Sequence, residues 1–253
     1  MSVAAVDVSL IATFHRESYL AGWTLDNLSD LRREADAVGI SHELICMLDK
    51  ADDETAEIVR DHVGLRKQDQ VVHVDCGDAG LNRNEGVARA RGEFVATFDG
   101  DDYFSRNWLS AAYRVLAAGS RARVVLPAYL VSFGAESHVY EIPDQEKVVV
   151  PEEALLTIHP WISTAFIAKR VLEQWPYQST RVEETGFAYE DWHWNLEMVA
   201  HGYKFVTAPG TARYYRRQAD SLLTRATKGQ GIIRPNALFR RRPNERSNAK
   251  PNL

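Results

Sequence analysis

The chain has 253 residues, enough to bury a sizeable core without disulfides or a structural metal. With 45% hydrophobic and 26% charged residues it is not a mostly disordered chain. Lys and Arg number 30 against 35 Asp and Glu, a net charge of -5, which speaks against a dedicated nucleic-acid binder because that role needs a strongly basic face.

The elements alternate through the first hundred residues. Val6 to Ala12 predicts a buried strand, and Ser18 to Ala37 a helix with Leu20, Trp23, Leu28 and Leu31 on its apolar side. Glu43 to Leu48 reads as a strand buried on both faces, and Asp52 to Val63 as a helix. Val71 to Val74 is a short strand, Gly80 to Arg91 a small-sided helix, and Glu93 to Phe98 a fourth strand. Strands alternating with helices of this length predict an α/β fold, a mostly parallel sheet sandwiched by helices.

The second half is less regular. Trp108 to Ala118 predicts a helix, Ala122 to Phe133 a strand, and Val139 to Val150 an antiparallel excursion. Ser163 to Gln174 is expected to be helical. Glu190 to Ala200 is a helix stopped by Gly202, and Tyr203 to Thr207 and Ala212 to Arg216 are two further strands. Beyond about Thr224 the periodicity is lost. Residues 225–253 hold eight basic side chains and one acidic, a local +7 that leaves -12 for the rest. The expectation is one domain over 1–224 and a loose basic tail. That tail reads first as a solvated terminus. The sharper reading is a peripheral membrane contact, because Ile232, Ile233, Leu238 and Phe239 interleave with Arg234 and Arg240 to Arg242. Each basic residue near anionic lipid is worth about 1 kcal/mol.

Cys46 and Cys76 lie in or beside apolar runs and read as free thiols of a reducing compartment. Asp7 interrupts the N-terminal apolar run and no basic stretch precedes it, which argues against a secretory signal. No run reaches the roughly 18–20 apolar residues of a membrane span, so a cytoplasmic protein is expected.

Ligands of open α/β sheets bind outside the carboxyl ends of the strands. Those ends carry Thr13-Phe14-His15-Arg16-Glu17 after the first strand, Asp49 to Thr55 after the second, and Asp99-Gly100-Asp101-Asp102 after the fourth. Three carboxylates within four residues repel one another unless a cation or water screens them, and hard divalent ions prefer such oxygen ligands. A solvated acidic turn is the plainer reading of the same residues.

The stretch GLNRNEGVARARGEFVATFDGDD resembles the core of family 2 glycosyltransferases. There an Arg-Asn pair (here Arg83 and Asn84) opens a small-residue helix, a Gly-Glu-aromatic turn (Gly92, Glu93, Phe94) follows, and a strand ends in a DxD motif (Asp99, Asp101, Asp102). VSLIATFHRE resembles the family's nucleotide loop, LDKADDET its second acidic loop, YEDWHWNLEMVAHGYKF its Glu-Asp helix, and YYRRQADSL its late Tyr-Arg segment. The likeness spans roughly residues 6–222.

The resemblance implies an A-type glycosyltransferase fold, with a nucleotide-sugar-binding half to about residue 103 and an acceptor half to 224. It implies an inverting transfer from a nucleotide-diphosphate sugar, with uridine as the family-level guess, to a glycan or lipid-linked acceptor, assisted by divalent Mn²⁺ or Mg²⁺. On that likeness Asp102 is the first expected metal ligand, with Asp101 sharing the metal or holding the ribose and Asp99 bracing the turn. Thr13, Phe14, Glu17, Asp49 and Arg83 are expected around the nucleotide, and Arg216 and Arg217 at the diphosphate, where guanidinium suits phosphate oxygens. Asp191 is the expected general base, with Glu190 and Trp161 near the acceptor. Acidic residues in a first helical turn also simply complement the helix dipole. His42, His62, His73 and His138 read as surface or packing residues.

Four departures bear on donor and acceptor contacts. Gln218 stands where some relatives carry a metal-ligating histidine, His15-Arg16 where Asn-Arg is commoner, Leu48 for the first of two aspartates, and Glu197 where arginine is frequent. A nucleotidyltransferase would bring a Gly-rich basic first loop, which TFHRE is not. A non-catalytic binding module of the same fold is the third reading, against which the intact DGDD and Asp191 count.

Overall fold

A computed structural model describes residues 6–134, 137–217 and 226–240. The chain order is β1 (Val6–Phe14), α1 (Tyr19–Ala37), β2 (His42–Asp49), α2 (Asp53–Arg60), β3 (Gln70–Val74), α3 (Ala79–Arg89), β4 (Gly92–Asp99), β5 (Tyr103–Phe104) and α4 (Trp108–Ala117). It continues with β6 (Arg123–Gly134), β7 (His138–Glu141), α5 (Glu152–Leu155), β8 (Phe166–Ala168), α6 (Lys169–Gln174), α7 (Val182–Thr185), β9 (Phe187–Ala188), α8 (Glu190–Ala200), β10 (Lys204–Arg217), β11 (Ile232–Ile233) and α9 (Ala237–Arg240).

Among the described residues one sheet runs β3-β2-β1-β4-β8-β6-β10-β5, with β7 beside β6. The pairings β2–β3, β1–β2 and β1–β4 are parallel, as the strand–helix alternation predicts. Beyond β4 the sheet is mixed: β8 is antiparallel to β4 and β6, while β6 and β10 are parallel. Every residue of β2 is buried, consistent with a strand covered on both faces. Helices α1, α2 and α4 pack in one group, and α3, α6 and α8 in another. Asp52 and Asp78 cap α2 and α3 by accepting from the N–H groups of Thr55 and Leu81.

Four expectations change. The helix expected over Ser163 to Gln174 begins only at Lys169, because Phe166 and Ile167 bridge β4 and β6 as a strand and sheet pairing overrides the helical pattern. The excursion over Val139 to Val150 pairs only at His138–Glu141. The residues after it form a loop whose Asp144 accepts from the Thr207 and Glu146 N–H groups. The two late strands are one, Lys204–Arg217, whose register shifts between Ala208 and Ala212, where Pro209 has no N–H to donate.

The fourth change concerns the tail. Ile232 and Ile233 pair with Phe187 and Ala188, and α9 packs on α8. Leu238 is buried, and the Ala237 N–H donates to Glu197 at 2.7 Å. Residues 226–240 therefore belong to the body, because Ile233 and Leu238 have an apolar face to cover there. Ile232 and Phe239 remain exposed, and Arg241 and Arg242 lie outside the described residues. Gly202 ends α8 at φ +83°, the left-handed turn expected of it. No described helix is long and apolar enough to cross a membrane.

Candidate active site

Parallel register brings the carboxyl ends of β1, β2 and β4 to one edge, with Thr13 beside both Met47 and Asp99. The DGDD turn continues into β5, which pairs with β10 and places Arg213 opposite Phe104. Gly100 is needed in that turn, because a Cβ there would lie 2.7 Å from both the Phe14 ring and the Thr13 carbonyl oxygen. Thr24 of α1 donates to the Gly100 carbonyl at 2.9 Å and fixes the turn from below.

A buried ion network ties this turn to α8. Arg83 donates to Asp99 and to Glu190, each at 2.8 Å, and its side chain is 4% exposed. Arg213 donates to Asp99 at 3.0 Å and to Ser163 at 2.9 Å, and it also pairs with Asp102. Ser163 in turn donates to Asp99 at 2.8 Å. Burial by itself raises the Asp99 carboxyl, but Arg83 and Arg213 together hold it well below the usual carboxylate range. Asp102 goes the other way: burial pushes it up, Arg213 opposes, and Asp99 and Asp101 add to the rise. Burial also raises Glu190, reinforced by Asp191 and opposed by Arg83.

Tyr189 positions the two acidic residues of α8. It sits at φ 62°, a conformation that costs a bulky residue about 1–3 kcal/mol, and it turns the chain from β9 into the helix. Glu190 then reaches inward to Arg83. Asp191 lies beside it, about a quarter exposed, with Oδ1 accepting from the Trp192 N–H at 2.8 Å. Its Oδ2 is 3.9 Å from His159 Nδ1.

The other expected residues divide. Thr13 is half-buried at the edge. Glu17 packs against Gly100, and burial pushes its carboxyl up to about 7, with Asp101 and Asp99 adding to a rise that the His15 N–H opposes. Arg216 and Arg217 are half-buried at the end of β10, beside Phe133 and Gly134 of β6. Asp49 is buried and accepts from the N–H groups of Cys76, Gly77 and Asp78 at 2.8, 3.0 and 3.3 Å, so it builds the loop into α3.

Three placements correct the expectations. Phe14 is 1% exposed, packed under Gly100, and cannot stack on a base from there. Trp161 is a core residue: it stacks on Phe205 at 4.0 Å, and its indole N–H donates to the Pro143 carbonyl, so no acceptor ring reaches it. Arg83 is neither a surface arginine nor poised over a nucleotide, since both its terminal nitrogens serve the cross-link from Asp99 to Glu190.

As arranged, these carboxylates do not fit a divalent-metal site. Asp99 is committed to two arginines and Ser163, and the fully buried Asp102 side chain faces Arg213. No group of three His, Cys, Asp or Glu side chains suited to a metal occurs among the described residues. The first-ranked ligand, Asp102, is thus turned inward, and Asp101 is the more exposed of the pair. Gln218 lies outside the described residues.

The sequence reading missed Arg213 and Ser163. Strand alternation offered a signal for Arg213, because it shares a face with Tyr215, over which its guanidinium sits at 5.3 Å. Ser163 had no signal, since only the insertion of β8 brings it to Asp99.

The glycosyl transferase family 2 profile matches residues 10–159 of the chain. The protein named as glycosyltransferase EpsH in Bacillus subtilis (strain 168) is 26% identical over 140 residues, 53% of this chain and 36% of that one. Among solved structures, Staphylococcus aureus TarS 1-349 in complex with UDP-GlcNAc superposes with a TM-score of 0.62 at 17% identity, over 87% of this chain and 61% of that one. Mannosyltransferase PcManGT from Pyrobaculum calidifontis, in complex with GDP-Man and Mn²⁺, gives 0.58 at 19% identity, over 87% and 59%. The chain thus spans about a third of EpsH and about three fifths of these structures, whose likeness bears on the fold and agrees with the expected A-type architecture. With the profile covering more than half of its length, the chain is a member of glycosyl transferase family 2.

Proposed function

We propose that this chain transfers a sugar from a nucleotide-diphosphate donor to an acceptor hydroxyl of a glycan or lipid-linked glycan, with inversion at the anomeric carbon. One observation carries the reading: Arg83 joins Asp99 of the DGDD turn to Glu190, which sets Asp191 beside the strand ends where α/β folds bind ligands. Residues 1–224 form the catalytic domain in this proposal, with the donor held by the half that ends near residue 103.

The steps follow from charge and proton flow. Asp191 accepts the acceptor hydroxyl proton as the oxygen attacks the anomeric carbon. The bond from that carbon to the diphosphate oxygen breaks on the opposite face, and its electron pair leaves with the nucleoside diphosphate. Negative charge grows on that leaving group, and Arg216 and Arg217 at the end of β10 are the cationic side chains proposed to meet it. Donors of the UDP or GDP class are the first to test, since two proteins of similar fold hold UDP-GlcNAc and GDP-Man.

Thermal unfolding with UDP, GDP, dTDP or CDP, with and without Mn²⁺, tests donor binding. A nucleotide at a hundred times its dissociation constant should stabilise the fold by about 2.7 kcal/mol. The absence of a shift with all four would overturn the nucleotide-sugar reading. Asp191→Asn is expected to keep the shift and lose transfer by about 10²- to 10⁴-fold, the usual worth of a general base. Retained inversion-competent turnover in that variant would remove Asp191 from the base role.

A further inference from the structure

We propose that His159 is a positioning residue for Asp191, presenting an imidazole N–H to its carboxylate so that the carboxylate is held aimed at the acceptor. The inference rests on the reading of Asp191 as general base but concerns a different group, His159, in the loop before β8. Three contacts define that ring. Its plane lies 6° from that of Trp192, centroids 5.5 Å apart. Its Nε2 is 2.8 Å from the Asn195 side-chain nitrogen, one turn along α8 from Asp191. Its Nδ1 faces Asp191 Oδ2 across 3.9 Å.

The chemistry of the pair partners fixes the ring's protonation. The Asn195 amide nitrogen is a donor, so His159 Nε2 accepts and the single proton of a neutral imidazole resides on Nδ1, towards Asp191. Burial also lowers the imidazole's proton affinity against a smaller opposing pull from Asp191, which keeps the ring neutral. A neutral donor can stabilise a carboxylate without becoming a competing acid. The gap exceeds a hydrogen bond by about 1 Å, and catalytic contacts often close only when substrate is bound. Among the described residues, further titratable groups that interact with Asp191 include Glu190 on its own helix and Tyr177 of the loop after α6, while Arg83 of α3 reaches Glu190. Arg83 is spent on Glu190 and Asp99, and with the Trp192 N–H on Asp191 Oδ1, His159 is the side-chain donor that faces Oδ2.

The test is the proton titration of the Asp191 carboxyl in the full chain, read by carbon NMR with aspartate labelled at Cγ and assigned by the signal lost in Asp191→Asn. His159→Phe keeps a ring on Trp192 and removes the donor. It should raise the Asp191 midpoint by about half a pH unit or more, roughly threefold in proton affinity, as expected for loss of a hydrogen bond to the charged form. His159→Asn, whose amide nitrogen falls near the place of Nδ1, should restore the midpoint. His159→Gln, which reaches Asn195 instead, should behave like the phenylalanine variant and stands in for it if that chain fails to fold. An unchanged midpoint in His159→Phe or His159→Gln, or no restoration by His159→Asn, would reduce His159 to a packing ring. Failure of the base reading is distinct: it would show as undiminished donor turnover in Asp191→Asn, whatever the titration shows.

Discussion

The two edges of the parallel sheet both bury carboxylates, and they treat them differently. At the amino edge, Asp69 accepts two bonds from Arg32 at 2.8 Å and further ones from the Leu44 and Arg66 N–H groups. Glu43 accepts from Ser9, from the Arg91 N–H and from Arg91 Nε at 2.7–2.8 Å. Each carboxylate there has its own arginine and a set of backbone or hydroxyl donors. At the carboxyl edge two arginines are shared among three acidic partners: Arg83 serves Asp99 and Glu190, and Arg213 serves Asp99 and Asp102. Among the described residues Asp102 has only Arg213 as a charged partner, and the Nε of Arg83 and Arg213 lacks a partner, as does that of Arg32 at the other edge. Folding needs only the first kind of arrangement. A network in which each arginine is divided between two carboxylates, beside a strained Tyr189, is the kind of arrangement expected of a site kept for chemistry.

The contrast can be broken most forcefully at its arginines. Arg32→Met and Arg83→Met should each cost about 3–5 kcal/mol in urea unfolding, because each strands buried carboxylates. Only Arg83→Met should also abolish the nucleotide-induced thermal shift, since it releases the DGDD turn from α8. Equal loss of that shift in Arg32→Met would erase the distinction between the edges. A smaller effect separates the adjacent aspartates. Asp102→Asn should cost about 1–3 kcal/mol by disturbing the Arg213 pair and leave nucleotide affinity nearly unchanged. Asp101→Asn should barely alter stability and weaken nucleotide binding. The reverse ranking would return the inward-facing Asp102 to the role of direct ligand.

Glu17 sharpens the comparison through pH. Its carboxyl is pushed up to about 7 from an ordinary 4.5, chiefly by burial, so the folded chain holds that proton more tightly than the unfolded one. The associated stabilisation is complete below pH 4.5 and is lost as pH rises through 7. Glu17→Gln removes that loss. Its melting temperature should exceed the wild type's by about 2–4 °C at pH 8, the equivalent of about 1 kcal/mol in a chain of this size, and the difference should vanish near pH 4.5. A constant difference across pH would mean that Glu17 is not the titrating group.

Much of this molecule is local in origin and so was legible in its residues. The alternating periods of strand and helix up to Phe98, the buried β2 and the stop at Gly202 follow from patterns within a few residues of each other. So did the gathering of TFHRE, Asp49 and DGDD at one edge, because parallel strands must end together. Asp191 is singled out by the family resemblance of the Glu-Asp helix, since acids in a first helical turn are by themselves ordinary.

What lay beyond reach depended on partners distant in the chain. Whether Ser163 to Gln174 would be helix or strand was decided by a vacancy between β4 and β6 that Phe166 fills. Trp161 reads equally well as a sugar platform or core and Phe14 as part of the nucleotide pocket, and only the packing of Phe205 and of Gly100 makes them core. Asp102 is the first expected metal ligand on motif likeness, but β10, more than a hundred residues later, brings Arg213 against it. Sequence by itself determined the family, the strand–helix alternation of the first half and the edge where a ligand is expected, since these rest on short-range pattern and motif order. Tertiary structure alone decided which of the acidic residues face outward and which are held by arginines. The sharing of a guanidinium between carboxylates is a property of three-dimensional proximity that no spacing along the chain encodes.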